Sequence, residues 1–309
     1  MIKVKKSILM FLLFASPFLV EAQDFSYQYF SQFNPVINNP AYASYNTEIS
    51  ADMGMYSLWA GGFKPLNDLF VSFSMSTGTK FRKTKRETGY EKRIGLGAVF
   101  LKEQIGVISQ NVYQLVYAYH FPINRKVYLS FGICGSVETF TIGLNELSPV
   151  NTDDPRLMAE NNSSVLFDGG FGAVFQGWNY LLSFSMLNLA SDYFKFENTT
   201  SRGINNYTKF YLSGEYNFDL SYNTRFSPNI TYRNSRTNKK YFDTSISLDF
   251  SFFNIGLGYR TEKILFLFTK IPYKNFYFTY CSENPLSSNH MMGNGHTFTV
   301  GWSFNSPKL

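Results

Sequence analysis

Apolar and polar residues alternate along most of the chain. In "YTKFYLSGEYNF", residues 207–218, Phe210 and Leu212 share one face of a strand while Lys209 and Glu215 share the other. Successive side chains of a β-strand point to opposite faces, so a period of two predicts strands with one apolar and one polar face. The stretch "YFDTSISLDF" repeats the pattern, with rings opposite carboxylates and hydroxyls.

About fourteen such strands can be counted, an even number as bacterial outer-membrane barrels have. Their predicted centres lie near residues 55, 73, 97, 114, 131, 170, 184, 212, 229, 246, 257, 267, 278 and 300. A soluble β-sandwich also alternates, but its strands are usually shorter than the roughly ten residues found here. The pattern therefore predicts an all-β fold, a transmembrane outer-membrane β-barrel of about 14 antiparallel strands.

The connections between the predicted strands differ in length at the two ends of the barrel. If the first strand runs outward, the long connections 141–163, 191–206 and 283–295 all lie outside. The short links "FPINR", "QGWN" and "IPYKN" then lie on the periplasmic side, which is the usual asymmetry of these barrels. The last strand, "HTFTVGWSF", places Phe298 and Val300 on one face, which is predicted to contact lipid.

Composition supports a barrel and excludes two other classes. Aromatic residues make up 19% of the chain, mean hydropathy is −0.16, and no long apolar run follows Val20, which excludes a helical membrane protein. The net charge of +6 is scattered and accompanies no nucleic-acid motif, so we expect outer-membrane lipid and no nucleic acid as a partner. Cys134 and Cys281 are interpreted as separate small wall residues, although their pairing stays open.

The N-terminus carries an export signal. Lys3 and its neighbouring lysines precede an apolar stretch at 8–20, and Ala22 ends a small-residue cleavage site, which is typical of a secretory signal peptide. The alternative is a membrane helix, but the stretch is shorter than the about 17 to 25 residues that crossing requires. The predicted organisation is a cleaved signal peptide at 1–22, an N-terminal motif segment at 23–48 and a β-barrel at 49–309.

The segment "FSQFNPVINNPAYASY", residues 30–45, fits neither a helix nor a strand. Pro35 and Pro40 lack backbone donors and cannot join a regular ladder throughout. The nearby asparagines can satisfy backbone groups locally, whereas Phe33 and Ile37 need burial. We therefore expect an irregular segment packed at the periplasmic mouth or in the lumen, with a loose tail as the alternative.

The same segment resembles the opening motif of the PorP/SprF family of the bacterial type IX secretion system. Gln23 and Asp24 stand at the mature end, followed by "FSQ" and by "NPAYAS", where Ser44 replaces the usual glycine. The region 153–189 is similar to the acidic loop and the two strands that follow it in the family. The ending "NGHTFTVGWSF" is similar to the last strand of the family.

This resemblance implies a protein of the outer membrane without enzymatic activity. Its family-motif residues here would be Asn34, Pro35, Asn39, Pro40, Ala41 and Tyr42. The implied function is to support type IX secretion or gliding, with secreted adhesin-type cargo or periplasmic ring components as partners. The alternative is an outer-membrane diffusion channel or small-solute transporter, because both classes have a polar lumen.

Catalysis and cofactors find little support in the residues. The chain has three histidines, His120, His290 and His296, and no G-x-S-x-G elbow, so no catalytic residue is assigned. His120 ends a predicted strand and is interpreted as an interfacial residue. The grouped ligand spacing of a metal site is missing, so no metal or cofactor is expected.

A basic cluster lies between the second and third predicted strands. Seven lysines and arginines occur at 80–93, on the side interpreted as periplasmic. Lys83, Lys85 and Arg86 are the candidate docking residues for an acidic periplasmic partner, because complementary charge steers association. A solvated turn is the alternative interpretation.

Overall fold

The structure is a computed structural model that describes residues 30, 32–58, 66–77, 93–124, 127–143, 163–190, 193–194, 204–205, 207–234, 240–286 and 293–304. Almost all of this described chain is β-structure. A search of the same residues finds no helix of sufficient length and apolar character to cross a membrane. The predicted signal peptide, 1–22, lies outside the described residues.

Seventeen strands and two 3-10 turns follow one another along the described part of the chain. The turns are η1 Pro35–Ile37 and η2 Pro40–Tyr42. The strands are β1 Ile49–Leu58, β2 Leu66–Thr77, β3 Arg93–Ile105, β4 Ile108–Asn124, β5 Val127–Ile142, β6 Ser163–Gln176, β7 Tyr180–Leu187, β8 Tyr193–Phe194, β9 Ile204–Asn205, β10 Lys209–Tyr216, β11 Phe218–Ser221, β12 Thr224–Asn234, β13 Lys240–Phe250, β14 Phe253–Arg260, β15 Ile264–Tyr273, β16 Phe276–Pro285 and β17 Gly295–Phe304.

The strands close into one antiparallel barrel. Neighbours in sequence pair with each other, β17 pairs with β1, and β10 pairs with both β7 and β12. β11 continues β10 on the same edge of β12, while β8 and β9 form a separate ribbon. With β10 and β11 counted as one strand and the ribbon left out, the wall has the fourteen strands that the alternation predicts.

The two faces of the wall differ as the pattern predicts. On β4, Val112 and Val116 face the lumen and are buried, whereas Leu115 is 72% exposed on the outer face. On the closing strand β17, Phe298 and Val300 are exposed on the outer face as well. An apolar outer face around a closed barrel is the surface that contacts lipid.

The two ends of the barrel differ in their connections, and we name them accordingly. The loop end carries the two longest gaps between wall strands, after β5 and after β7. The turn end carries the two-residue links after β4, β11, β13 and β15, and of the loop-end connections only the link after β3 is as short. Because bacterial barrels place their short turns in the periplasm, the turn end is the periplasmic end.

Candidate functional site: a plug in the barrel lumen

The segment before β1 lies inside the barrel. We call Phe30 together with residues 32–45 the plug. Phe30 and Ala41 are fully buried and Ile37 is 1% exposed, although none of them belongs to the wall. The plug enters at the turn end, where it joins β1. The expected irregular segment is therefore ordered, and it lies in the lumen.

Local chemistry gives the plug a self-supporting backbone. Each 3-10 turn begins with a proline, Pro35 or Pro40, whose missing N–H would have had no partner at that position. The side chain of Asn39 accepts a hydrogen bond of 2.9 Å from the N–H of Ala41 and so caps the second turn. The Asn-Pro pairs thus provide partners for the hydrogen-bonding groups of the plug backbone, which has no neighbouring strand.

Ser44 ends the plug in an unusual backbone conformation. Its φ of 55° lies in the left-handed region, which favours glycine. Glycine is the residue usual at this place in the family that the opening motif resembles. Here the Ser44 N–H donates to Ser74 at 3.3 Å and its hydroxyl to the Glu48 carbonyl at 3.4 Å, which supports the strained turn.

The wall beneath the plug is made of small residues. Gly95, Ala118, Gly132, Gly172 and Ser185 pair side by side across β3 to β7, and we call them the small-residue row. A Cβ atom added at any of the three glycines would lie within 3.0 Å of the plug, at Ala43, Ala41 or Asn39 respectively. The row therefore forms a groove that fits the plug backbone.

Hydrogen bonds fix the plug to this groove from both ends of the row. His120 contacts the Ala43 carbonyl through Nε2 and the Ser130 hydroxyl through Nδ1, each at 2.8 Å. Because a carbonyl can only accept, Nε2 carries the proton. At β7, the Ser185 hydroxyl donates to the Asn38 carbonyl at 2.6 Å.

Asn39 reaches past the third glycine of the row to the wall backbone. Its side-chain nitrogen donates to the carbonyls of Ala173 and Phe184 at 3.2 and 3.1 Å. This reach is possible because Gly172 has no side chain in the way. Asn39 thus uses both ends of its amide, one to cap the plug and one to bind the wall.

Aromatic rings anchor the plug at several further points. Phe30 packs on Phe70 of β2 with ring centroids 4.6 Å apart. Tyr45 donates through its hydroxyl to Gln176, and Arg93 donates to the Tyr45 carbonyl at 2.9 Å. Burying an aromatic ring contributes several times more than a typical net hydrogen bond, so the rings dominate the affinity of the plug for the wall.

Tyr42 and Tyr45 stay neutral in this setting. Desolvation by burial raises the pKa of Tyr42 to about 12, and the same cause raises the pKa of Tyr45. The Tyr42 hydroxyl interacts with Ser183 of β7. Both phenols therefore remain hydrogen-bond donors over the physiological pH range.

The lumen opposite the plug is polar and accessible to water near the turn end. We call this region the open side, and it comprises Arg225, Asn229, Ser245, Asp249 and Lys270. Asp249 and Lys270 are exposed and the other three are half-buried. The equivalent positions under the plug, by contrast, are nearly all buried.

A cluster of charged side chains fills the lumen above the open side, at the loop end. We call Arg233, Asp243, Arg260, Glu262 and Glu283 the ion cluster. Arg233 donates through Nε to Asp243 at 3.0 Å and through Nη2 to Glu262 at 2.6 Å. Arg260 donates through Nη1 to Glu283 at 2.5 Å. Glu262 lies on the turn between β14 and β15. The cluster therefore extends from the lumen face of the wall strands to a turn at the loop end.

The structure brings all six family-motif residues together in the lumen. Asn34 belongs to the same plug, and its amide donates to Ser72 at 2.5 Å and to Asp52 at 3.2 Å. The docking candidates Lys83, Lys85 and Arg86 lie outside the described residues. Within the described chain, no group of three or more potential ligands is placed to hold a metal ion. Cys134 and Cys281 are both free thiols.

Two parts of the site were missed by sequence reasoning. His120 is 1% exposed inside the lumen, so its interpretation as an interfacial residue is wrong. The small-residue row was not recognised either. Its signal was the glycines at lumen-facing positions of adjacent predicted strands, since a glycine inside a strand often marks a close approach of another backbone.

A closed antiparallel barrel with an apolar outer face defines the class of this protein as a transmembrane barrel of the bacterial outer membrane. The family follows from a family model described as "Type IX secretion system membrane protein PorP/SprF", which matches residues 19–303. The chain belongs to the PorP/SprF family. No curated protein matches it in sequence.

Solved barrels share the fold at low sequence identity. The CymD monoaromatic hydrocarbon channel has a TM-score of 0.51 and 9% identity, covering 92% of this chain and 95% of that one. The TodX deltaS2 mutant, also a monoaromatic hydrocarbon channel, has a TM-score of 0.50 and 8% identity, covering 87% and 94%. The Ralstonia pickettii toluene transporter TbuX has a TM-score of 0.49 and 9% identity, covering 87% and 93%. Such identities show the fold alone.

Proposed function

We propose that this outer-membrane protein is a non-enzymatic support of type IX secretion. It holds adhesin-type cargo at the cell surface or links the periplasmic ring components of the machinery to the outer membrane. Membership of the PorP/SprF family supports the role in secretion. The observation that carries the scaffold role is the plug, because a lumen occupied by the protein's own backbone favours a scaffold over an open channel.

The plug is fitted to the wall too closely to be a chance occupant. Three glycines leave room for it, His120 and Ser185 donate hydrogen bonds to it, and its own Asn34 donates to Ser72 of the wall. A conduit for large solutes would need most of this surface to be free. A rigid filled barrel instead offers a framework that carries recognition on its loops.

Co-purification tests the partner directly. We expect the protein, extracted in mild detergent, to bring down a secreted adhesin or a periplasmic ring component, with no substrate consumed. Deleting the gene should remove the adhesin from the cell surface, and the wild-type gene should restore it. Unchanged surface adhesin in the deletion strain would contradict the cargo role.

The basic stretch offers a more specific test of the periplasmic contact. Changing Lys83, Lys85 and Arg86 to Glu should weaken binding of the ring component while cargo capture persists. The effect should depend on salt, because exposed charges are screened within about 8 Å at physiological ionic strength. Lys240→Glu, an exposed charge at the loop end, is the matched control. Equal binding at every salt concentration would favour the solvated turn.

The alternative function is a diffusion channel or small-solute transporter. The likeness to hydrocarbon channels concerns the fold and does not favour it. Planar-bilayer recording of the wild-type protein separates the two functions. We expect a silent wild type, and a steady current would favour the channel.

A further inference from the structure

The pairing of β17 with β1 closes the barrel, and we call it the seam. Among the described wall strands, all other neighbours follow one another along the chain, whereas the two seam strands lie at its opposite ends. The seam is therefore held by its backbone ladder and by side chains, without a hairpin. Opening this ladder at membrane depth is costly, because lipid offers no partner for backbone groups.

The closing strand brings only small side chains to the lumen. Its buried or half-buried lumen-facing positions are Gly295, Thr297, Thr299, Gly301 and Ser303. Larger side chains of the neighbouring strands fill the space above its glycines. The lumen side of the seam is thus covered by residues that belong to β1 and β16 rather than to β17.

One of these contacts spans the closing strand. Asp52, Gly301 and Tyr277 lie side by side on β1, β17 and β16. The Tyr277 hydroxyl donates to Oδ1 of Asp52, and a Cβ atom added at Gly301 would lie within 3.0 Å of both side chains. We call this hydrogen bond the clasp. It connects β16 to β1 across β17 and is possible because Gly301 has no side chain.

The plug binds the other oxygen of the same carboxylate. The amide nitrogen of Asn34 donates to Oδ2 of Asp52 at 3.2 Å and to the hydroxyl of Ser72 at 2.5 Å. Ser72 pairs with Asp52 and extends the same row onto β2. Asp52 is therefore held between the plug on one side and the clasp on the other.

A second contact of the plug lies one row further toward the loop end. Phe70, Gly54 and Thr299 lie side by side on β2, β1 and β17, and the Phe70 ring covers Gly54. Phe30 of the plug packs on this ring with centroids 4.6 Å apart. The Asn34 N–H donates to the Phe30 carbonyl at 2.8 Å, so both contacts come from one turn of the plug.

We propose that the plug controls how tightly the seam is closed, because Asn34 holds Asp52 in the position from which the clasp spans β17. Docking of the plug and closure of the seam are then coupled through one carboxylate, and any displacement of the first turn of the plug also loosens the seam. Such a coupling is reciprocal, so weakening the clasp loosens the plug. It is a property of the barrel itself and does not depend on the role in secretion.

Hydrogen–deuterium exchange of the full protein in detergent tests the coupling. Asn34→Ala should raise the exchange rate of the seam amides in β1 and β17 by about tenfold, the factor that one lost hydrogen bond is worth. Ser185→Ala is the matched control, because it removes a hydrogen bond between the plug and β7, away from the seam. Its seam should exchange as in the wild type. Unchanged exchange in Asn34→Ala, or an equal rise in Ser185→Ala, would overturn the proposal.

Gly301→Ala tests the clasp without changing a polar group or a residue of the plug. The added Cβ would separate Tyr277 from Asp52, so the seam should exchange faster, as in Asn34→Ala. Gly135→Ala is the control, since its Cβ would have no heavy atom within 4 Å. Heat-modifiable migration in SDS confirms that each variant forms a barrel. A folded Gly301→Ala variant with wild-type exchange at the seam would show that the clasp does not hold it.

Tyr277→Phe gives a second, milder variant, because it removes the hydroxyl and keeps the ring over Gly301. Proteolysis should clip the N-terminal segment faster than in the wild type, although the hydroxyl is bonded to Asp52 of the wall. Combined with Asn34→Ala, it should raise seam exchange by less than the product of the two single effects, since both act through Asp52. Unchanged clipping, or effects that simply multiply, would overturn the coupling. Surface display of adhesin in the same strains reports the scaffold function separately.

Discussion

The two halves of the lumen wall are built from different residues. Under the plug, β3 to β7 present Gly95, Gly132 and Gly172, and the wall is dry. On the open side, β12, β13 and β15 present charged and hydroxyl side chains, and Asp249 and Lys270 are exposed. Gly256 and Gly258 on the open half are covered by the rings of Phe268 and Phe266. A barrel can therefore specify the position of its plug by leaving the glycines of one half uncovered by wall side chains.

The largest expected effect comes from removing an anchor of the plug. Phe30→Ala should destabilise the docked plug by about 3 to 5 kcal/mol, since a fully buried ring is lost. Ser245→Ala on the open side should change stability by less than about 0.5 kcal/mol. Urea unfolding in detergent, with proteolysis of the N-terminal segment, measures both. Equal effects would remove the distinction between the two halves.

The second-largest effect is expected from filling the groove with a side chain. Gly132→Val places a side chain against Ala41 and should cost about 3 kcal/mol, the upper end for overpacking, so that the plug is displaced. Gly135→Val is the control, because a Cβ there has no heavy atom within 4 Å. Proteolysis should clip the N-terminus faster in Gly132→Val alone. Similar clipping of both variants would contradict the groove.

Loss of the histidine contact should have a smaller effect. His120→Ala leaves the buried Ala43 carbonyl without its donor and should cost about 1 to 3 kcal/mol. His296→Ala is the comparison, since His296 contacts Tyr280 near the loop end and does not touch the plug. If both variants unfold at the same urea concentration, His120 does not hold the plug.

The smallest effect should be stabilising. Ser44→Gly relieves a left-handed backbone at a cost of two weak hydrogen bonds, and should raise stability by about 1 kcal/mol. The same change at Ser50, inside β1, should lower stability because glycine weakens a strand. A destabilised Ser44→Gly variant would show that the serine hydroxyl outweighs the strain.

Sequence reasoning located the wall well because alternation is a property of each strand alone. Each of the fourteen predicted centres falls within an observed strand, and the closing strand presents Phe298 outward as expected. The plug was also foreseen, since Pro35 and Pro40 cannot join a ladder and Ile37 requires burial. Each of these features depends only on residues that are close together in the sequence.

The site itself depends on register between strands, which one sequence does not contain. Gly95 and Gly172 act together only because three ladders place them in one row. The partners of Arg233 likewise come from β13 and from the turn after β14. His120 was misinterpreted for the same reason, because its contact at Ala43 is 77 residues away.

The order of the plug's contacts along the chain affects how the barrel can form. Hydrogen bonds from the plug reach β2, β4, β6 and β7, all of them early in the chain, while β17 meets β1 last. Contacts between near neighbours in sequence form faster than distant ones, because less chain has to be closed into a loop. The plug can thus serve as a template for the curvature of the first seven strands before β17 pairs with β1 and closes the barrel.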